Sequence, residues 1–408
     1  MRDNRTFRVQ WFRRTQRRKC NEGIIKKMSR QTRVSNANMM SFSEKLSRFS
    51  WAMFVPMCLV LVFSELILYS AGGGAWKPFA LSQMMKIILG FGLFFFAAFT
   101  NIKLWIKSAY GIYAVAAILI ILVTFVGHTG MGAQRWLNLG FIHIQPSEPF
   151  KMALVLVLAR YFAWMNSVEL TQSKNYIAPV CMTFIPFALI VVQPDLGTAL
   201  SMLMIMFGIF YIVGAQKKWF IIVAILGVMA APVVWFGGLH DYQRDRIITF
   251  LDPDHDAKGA GYQINQAKIA FGSGGIFGKG YMNGSQSQQS FLPEKQTDFI
   301  FTMLGEEFGF IGAFLLLMIY TWIILVLFWC AKSCKNRFGH LVCFGFMLNF
   351  FVYYFINISM VLGLLPTVGV PLPLMSFGGS SLLSLMFGFG LCQNAHINKD
   401  QQLSAKGS

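Results

Sequence analysis

Ten stretches of this chain are each long and apolar enough to cross a bilayer, and that feature leaves few folds open to it. In hydrocarbon every backbone N–H and C=O must find an internal partner, which restricts spanning segments to α-helices or closed barrels. Runs of about twenty residues with almost no alternation of polar and apolar positions select helices. The runs fall near 51–70, 84–101, 108–126, 149–165, 177–193, 196–213, 219–236, 308–330, 340–363 and 380–395. The expected fold is therefore an all-α polytopic membrane protein with about ten transmembrane helices.

Charge placement gives the orientation. Charged residues make up 13% of the chain, against about 25% for a soluble domain, yet the net charge is +18. Lys and Arg accumulate on the cytoplasmic side of membrane proteins. Residues 1–50 hold fourteen Lys/Arg against Asp3, Glu22 and Glu44, a net of +11, so they are expected to form a disordered cytoplasmic tail near anionic lipid rather than a nucleic-acid-binding arm. With that tail inside, the inner loops carry Lys103 and Lys107, then Lys174, Lys217 and Lys218, then Lys332, Lys335 and Arg337, and finally Lys399 and Lys406. All are basic, which predicts an even number of spans and both termini in the cytoplasm. No apolar run precedes Trp51, so no cleavable signal peptide is expected, and Met39 or Met40 is a candidate translation start.

The outer segments are then 71–83, 127–148, 193–196, 237–307 and 364–379. Eleven of the 17 Asp/Glu lie in or beside them, from Glu148 to Glu307, and this is the face on which chemistry is expected. The segment 237–307 is too long for a connector. Its residues 262–271 have amphipathic spacing, and a glycine-rich run follows over 272–280, so a folded lid is predicted.

Near the end of the lid Pro293 interrupts the chain, and Thr297 with Asp298 then opens a helix. Flanked by Phe299 and Phe301, Asp298 would sit between water and membrane. That placement suits a general base, or a helix cap. In 127–148, Arg135 and Trp136 pair a guanidinium with an interfacial aromatic, which suits either a phosphate or sugar ring or a plain interfacial anchor. Pro146 starts a helix with Glu148 and Lys151 paired at i, i+3. Asp195, in Gln193-Pro-Asp-Leu-Gly197, either caps the sixth span or lines a cavity. Pro366, Pro371 and Pro373, followed by Met375-Ser-Phe-Gly-Gly-Ser-Ser381, read as a broken or re-entrant segment, or as small residues for close packing.

Other signals fail. Asp252, Asp254 and Asp256 resemble a calcium loop, but Pro253, Ala257 and Gln263 stand at positions such a loop cannot fill that way. The six His residues lack zinc spacing. The run ending Gly278-Lys-Gly280 lacks a P-loop's Lys-Ser/Thr ending. The seven cysteines contain no CxxC pair. Cys330 and Cys334 share a helix face and read as ordinary membrane residues facing a reducing cytosol.

Taken in order, these motifs resemble the SEDS family (shape, elongation, division and sporulation), ten-span polymerases of peptidoglycan. The resemblance rests on Arg135-Trp136, Gln145-Pro-Ser-Glu148 with Lys151, Gln193 to Gly197, Gly259-Ala-Gly-Tyr-Gln263, Leu292-Pro-Glu-Lys-Gln-Thr-Asp-Phe-Ile-Phe301, Gly305-Glu-Glu307 and Pro371 to Gly379. Gly284-Ser-Gln-Ser-Gln288 and His240-Asp-Tyr-Gln-Arg-Asp-Arg246 are similar to the elongation branch. Gln296 stands where the family usually has His.

The resemblance implies a peptidoglycan glycosyltransferase that polymerises lipid II at the outer face of the inner membrane during elongation. Asp298 would be its catalytic base. Substrate contacts would come from Arg135, Trp136, Glu148, Lys151, Asp195, Arg246, Glu294, Lys295, Ser376, Gly378 and Gly379. Arg135, Lys151 and Arg246 would steady the departing pyrophosphate. It further implies a class B penicillin-binding protein and other elongasome components as partners, besides lipid II, the growing lipid-linked glycan and membrane lipids, and no nucleic acid. No dedicated metal site or cofactor is evident, although a divalent cation is compatible with the chemistry. Alternatives are a lipid II flippase, the division paralogue, or a non-catalytic scaffold. A transporter should place polar groups near the midplane. Here the spans are nearly uncharged, with Glu65 and Arg160 the main exceptions.

Overall fold

Helix ends in this protein sit where local chemistry can satisfy the orphan backbone groups of a terminus. The computed structural model describes residues 40–401, apart from 131–132, 139–142, 194, 239–240, 253–259 and 289–294. The expectation of a disordered tail over residues 1–50 lies outside the described residues as far as residue 39, and over 42–47 the structure has a short helix instead. The chain divides into two compact units, Met1–Phe49 and Ser50–Ser408. Among the described residues of the first is one short helix, Phe42–Ser47, opened by a reciprocal capping box between Ser41 and Glu44.

The second unit is helical. Its long helices are α1 (Trp51–Ala71), α2 (Ala80–Phe99), α3 (Ile102–Val126), α4 (Ser147–Ala163), α5 (Ile177–Val192), α6 (Leu196–Val213) and α7 (Lys217–Val233). The lid contributes α8 (Asp241–Leu251) and α9 (Ala260–Ser273). The chain closes with α10 (Ile300–Ser333), α11 (Arg337–Val361) and α12 (Gly379–Ile397). Asn101 and Asn336 cap α3 and α11 with their side chains, and Gly214 ends α6 in the left-handed region at φ 95°.

This is an all-α polytopic membrane fold. Every stretch read as a span is helical, with ends displaced by a few residues. Among the described residues, seven helices are long and apolar enough to cross a membrane. The count of ten is not established by that criterion. Helices α4 and α7 have 17 residues each, and α12 carries Gln393, Asn394 and His396. One feature escaped the sequence. Strands β1 (His128–Gly130), β2 (Ala133–Asn138) and β3 (His143–Ile144) form a small antiparallel sheet in the segment expected to be a loop.

Helix α4 lies at the centre, against α3, α6, α11 and α12, and Phe150 to Ala159 is buried without interruption. A helix apolar on all sides belongs in such a position. Helix α2 runs along α12, and glycine makes the approach possible. A Cβ at Gly390 would lie 2.5 Å from the Phe94 carbonyl oxygen and 2.7 Å from Ala97 Cβ. Asn394, one turn further on, donates to the carbonyls of Ala97 and Ala98, both at 3.0 Å, and so closes the α2 C-terminus. Gly390→Val should therefore cost about 1–3 kcal/mol, read as a lower melting temperature of the purified protein.

The lid is tied down by backbone. Helix α10 is broken at Gly309 (φ 66°), which frees carbonyls and amides on either side of the kink. The glycine-rich run takes them up. Lys279 N and Gly280 N donate to the Glu306 and Glu307 carbonyls, both at 3.0 Å. Phe310 N donates to the Gly275 carbonyl at 2.9 Å, and Ile311 N to that of Ile276 at 3.1 Å. Gly278 cannot carry a side chain there, because a Cβ would come within 2.1 Å of the Glu307 oxygen.

Candidate functional site

The residue expected to act as base precedes a helix that does not use it as a cap. Residues 295–299 form a turn, α10 begins at Ile300, and its N-cap position is Phe299. Asp298 thus stands one residue outside the helix, which corrects the expectation that Thr297 and Asp298 open it. Phe299, Ile300 and Phe301 are all buried, which fixes the backbone while Asp298 itself stays partly exposed.

The turn is held like an added strand along the irregular segment 364–378. The Asp298 carbonyl accepts from Asn357 Nδ2 at 2.9 Å, and the same amide donates to the Val370 carbonyl at 2.8 Å. The Thr297 carbonyl accepts from Ser376 Oγ at 2.6 Å, and the Gln296 carbonyl from Phe377 N at 2.9 Å. Ser376 Oγ in turn accepts from Leu372 N at 2.8 Å. The Asp298 carboxylate lies over Gly369 (φ 71°), where a Cβ would be 3.6 Å from Oδ2.

Two other parts of the chain meet the same segment. Arg246, on α8, donates from Nη1 to the Thr367 carbonyl at 3.2 Å. Gly197, in the first turn of α6, packs so closely that a Cβ would sit 2.7 Å from Val370 and 3.1 Å from Val368. Asp195 caps that helix, accepting from Thr198 N at 3.3 Å, and its other oxygen accepts from Gln145 Nε2 at 2.9 Å. Gln145 N donates to Ser380 Oγ at 2.8 Å, which brings the start of α4 to the start of α12. Arg135, on β2, donates from Nε to the Gln193 carbonyl at 3.1 Å. Trp136 beside it is partly buried.

Glu148 and Lys151 are placed differently. Lys151 is 1% exposed, 2.8 Å from Glu148 Oε1, with its ammonium 3.6 Å above the Tyr353 ring and hydrogen-bonded to the Tyr353 hydroxyl. That hydroxyl donates to Glu148 Oε1 at 2.9 Å. The i, i+3 pairing read from the sequence is present, but sealed inside the helix bundle. Lys295 is half-buried outside the spans. Burial pushes its ammonium pKa below the ordinary value, while the Glu307 carboxylate pulls it back up. Gly378 opens onto free space, and Gly379 starts α12. Glu294 lies outside the described residues.

Ser376, Gly369, Arg246 and Asp298 therefore share one segment, and Asp195 and Arg135 adjoin it through α6 and Gln193. The sequence missed Asn357 and Tyr353. A polar residue inside an otherwise apolar span was the available signal. Among the described residues, no group of three or more His, Cys, Asp or Glu is disposed to hold a metal ion.

The chain is similar to known proteins. Residues 44–401 match the family profile FTSW_RODA_SPOVE, described as cell cycle protein. The peptidoglycan glycosyltransferase MrdB of Escherichia coli K12 is 39% identical over 370 residues, covering 90% of this chain and 98% of that one. MrdB of Helicobacter pylori 26695 is 38% identical over 84% of this chain and 88% of its own. A probable FtsW of Haemophilus influenzae is 34% identical over 70% of this chain and 73% of its own. Among solved structures, one describing how a peptidoglycan synthase complex coordinates polymerization and crosslinking superposes with a TM-score of 0.74 at 28% identity, over 87% of this chain and 99% of that one. The rod shape determining protein RodA of Thermus thermophilus superposes at 0.66 with 25% identity, over 87% and 98%.

Proposed function

Because the chain belongs to the FtsW/RodA/SpoVE cell cycle protein family, the SEDS proteins, we propose that it polymerises lipid II on the outer face of the membrane with Asp298 as general base. Its activity is that of a peptidoglycan glycosyltransferase, as in its MrdB relatives. The substrate, the side of the membrane and the residue roles are the proposed part.

A sugar hydroxyl of the acceptor attacks the anomeric carbon of a lipid-pyrophosphate-linked glycan. The bond from that carbon to the pyrophosphate oxygen breaks, a glycosidic bond forms with inversion, and the hydroxyl proton passes to the Asp298 carboxylate. Such a base contributes about 10²–10⁴ in rate. The pyrophosphate leaves with its lipid, and fixed cationic groups lower the cost of the charge it gathers. Arg246 and Arg135 fill that role. Lys151, enclosed with Glu148 and Tyr353, supports the site from below and does not reach the leaving group. The observation that carries the reading is the Asp298 carboxylate lying over Gly369, on the same irregular segment that Arg246 grips through Thr367.

Basic residues in the loops assigned to the inside support cytoplasmic termini and ten spans. Crosslinking of the new strands falls to a separate transpeptidase, a class B penicillin-binding protein. That assignment rests on the neighbouring synthase complex, which joins polymerization to crosslinking.

The test is polymerisation of lipid II by the purified chain in liposomes, with and without its transpeptidase. Glycan strands are expected. Lipid scrambling without strands in either preparation would overturn the proposal. In the same assay Arg246→Gln should lower the rate about tenfold to hundredfold, since it removes one cation from the charge-stabilising set.

A further inference from the structure

Two ionisable residues lie within the first two spans, and the reaction does not account for either. Glu65 is six residues before the end of α1, and Lys86 is six residues after the start of α2. At 1.5 Å per residue, both lie about 9 Å from the helix ends joined by 72–79. The helices run antiparallel and touch, with Phe54 of α1 against Phe91, Phe94 and Phe95 of α2 at the far end. Glu65 and Lys86 therefore share one depth, and the charge of each acts on the other.

Neither position is chemically comfortable alone. Both Glu65 carboxylate oxygens are buried without a hydrogen-bond partner. The residue lines a cavity of about 460 Å³ whose other walls include Leu61, Leu66, Tyr69, Phe91 and Tyr281. An ionisable group at such a depth is costly and calls for a function. Lys86 supplies the opposite charge, and its ammonium is committed elsewhere. It sits 3.7 Å above the Phe377 ring, with its chain against Gly379.

Phe377 leads to the reaction. Its backbone N–H holds the Gln296 carbonyl, two residues before Asp298, and the adjacent Ser376 hydroxyl holds that of Thr297. From below, α1 and α2 grip the same stretch. Ser64 Oγ donates to the Met375 carbonyl at 2.7 Å, Gln83 Nε2 donates to that of Ser376 at 3.3 Å, and Phe79 packs on Phe377. We propose that Glu65 and Lys86 are positioning residues: Lys86, held by the charge of Glu65, fixes Phe377 from below, and Phe377 sets the register of the turn that carries Asp298. The inference rests on the role given to Asp298 above.

The test measures lipid II polymerisation by the full chain in liposomes, for Phe377→Leu, Lys86→Met, Lys86→Arg, Glu65→Ala with Lys86→Met, and Asp298→Ala as control. Phe377→Leu removes the ring without disturbing any charge. It and Lys86→Met should lower kcat about tenfold to hundredfold while leaving KM within about twofold, as expected when a reacting group is misplaced. Lys86→Arg should restore most of the rate. The double variant should recover the melting temperature lost in Lys86→Met, because no orphan carboxylate remains, but not its kcat. A normal kcat in Phe377→Leu beside an inactive Asp298→Ala would overturn the positioning role alone. So would a rise in KM at unchanged kcat, or failure of the arginine to rescue. An active Asp298→Ala would instead remove the mechanism beneath it.

Discussion

Asp298→Asn is expected to abolish glycan synthesis while shifting the melting temperature by no more than about 2 °C. The substitution keeps the size of the side chain and removes only its basicity. The backbone there is held by Asn357, Ser376 and Phe377 through carbonyl oxygens. A lost general base costs about 10²–10⁴ in rate, or about 3–5 kcal/mol of activation free energy. Single-turnover polymerisation of lipid II, with melting followed in parallel, separates chemistry from folding. A variant that keeps more than about a tenth of the rate is incompatible with proton abstraction at this residue.

Lys151→Met should give the largest loss of stability. Glu148, 4% exposed, would lose its cation and keep the hydrogen bond from the Tyr353 hydroxyl in the helix core. Removing one member of a buried pair costs about 3–5 kcal/mol, because the survivor's charge stays out of water. Replacing both, as Glu148→Leu with Lys151→Met, should recover much of it. Thermal melting of the two variants in one detergent decides the matter, and equal melting temperatures for wild type and Lys151→Met would show that the pair contributes nothing. Because α4 carries the pair through the centre of the bundle, the single variant should also lose polymerisation in proportion to its unfolded fraction, unlike Asp298→Asn.

These two variants also mark what could be read from the chain alone. The Glu148–Lys151 pair was legible because both partners lie within one helical turn, and turn geometry alone brings them together. Asp298 was legible as an acid near the start of a helix, but its relation to that helix was not. The helix starts two residues later than expected, because the carbonyls of Gln296 and Thr297 are bonded to a segment about eighty residues away. The small sheet over 128–144 was missed for a related reason. Its strands are two to six residues long, too short for period-two alternation to emerge.

The sequence by itself determined the helices and suggested their orientation, since both depend on local quantities: the length of an apolar run and the sign of the charges flanking it. It also named the residue types that the proposed site needs. The tertiary structure alone decided which of them share a site. Within itself segment 364–378 has little more than the turn in which Met375 N and Ser376 N donate to the Leu372 carbonyl, so much of its shape comes from Asn357, Arg246 and the turn at 296–298, through bonds that span up to 121 residues of chain. It also buried Lys151 with Glu148 and Tyr353 and set Lys86 against Phe377, because burial and cross-helix contact follow from how the bundle packs, which no local pattern encodes.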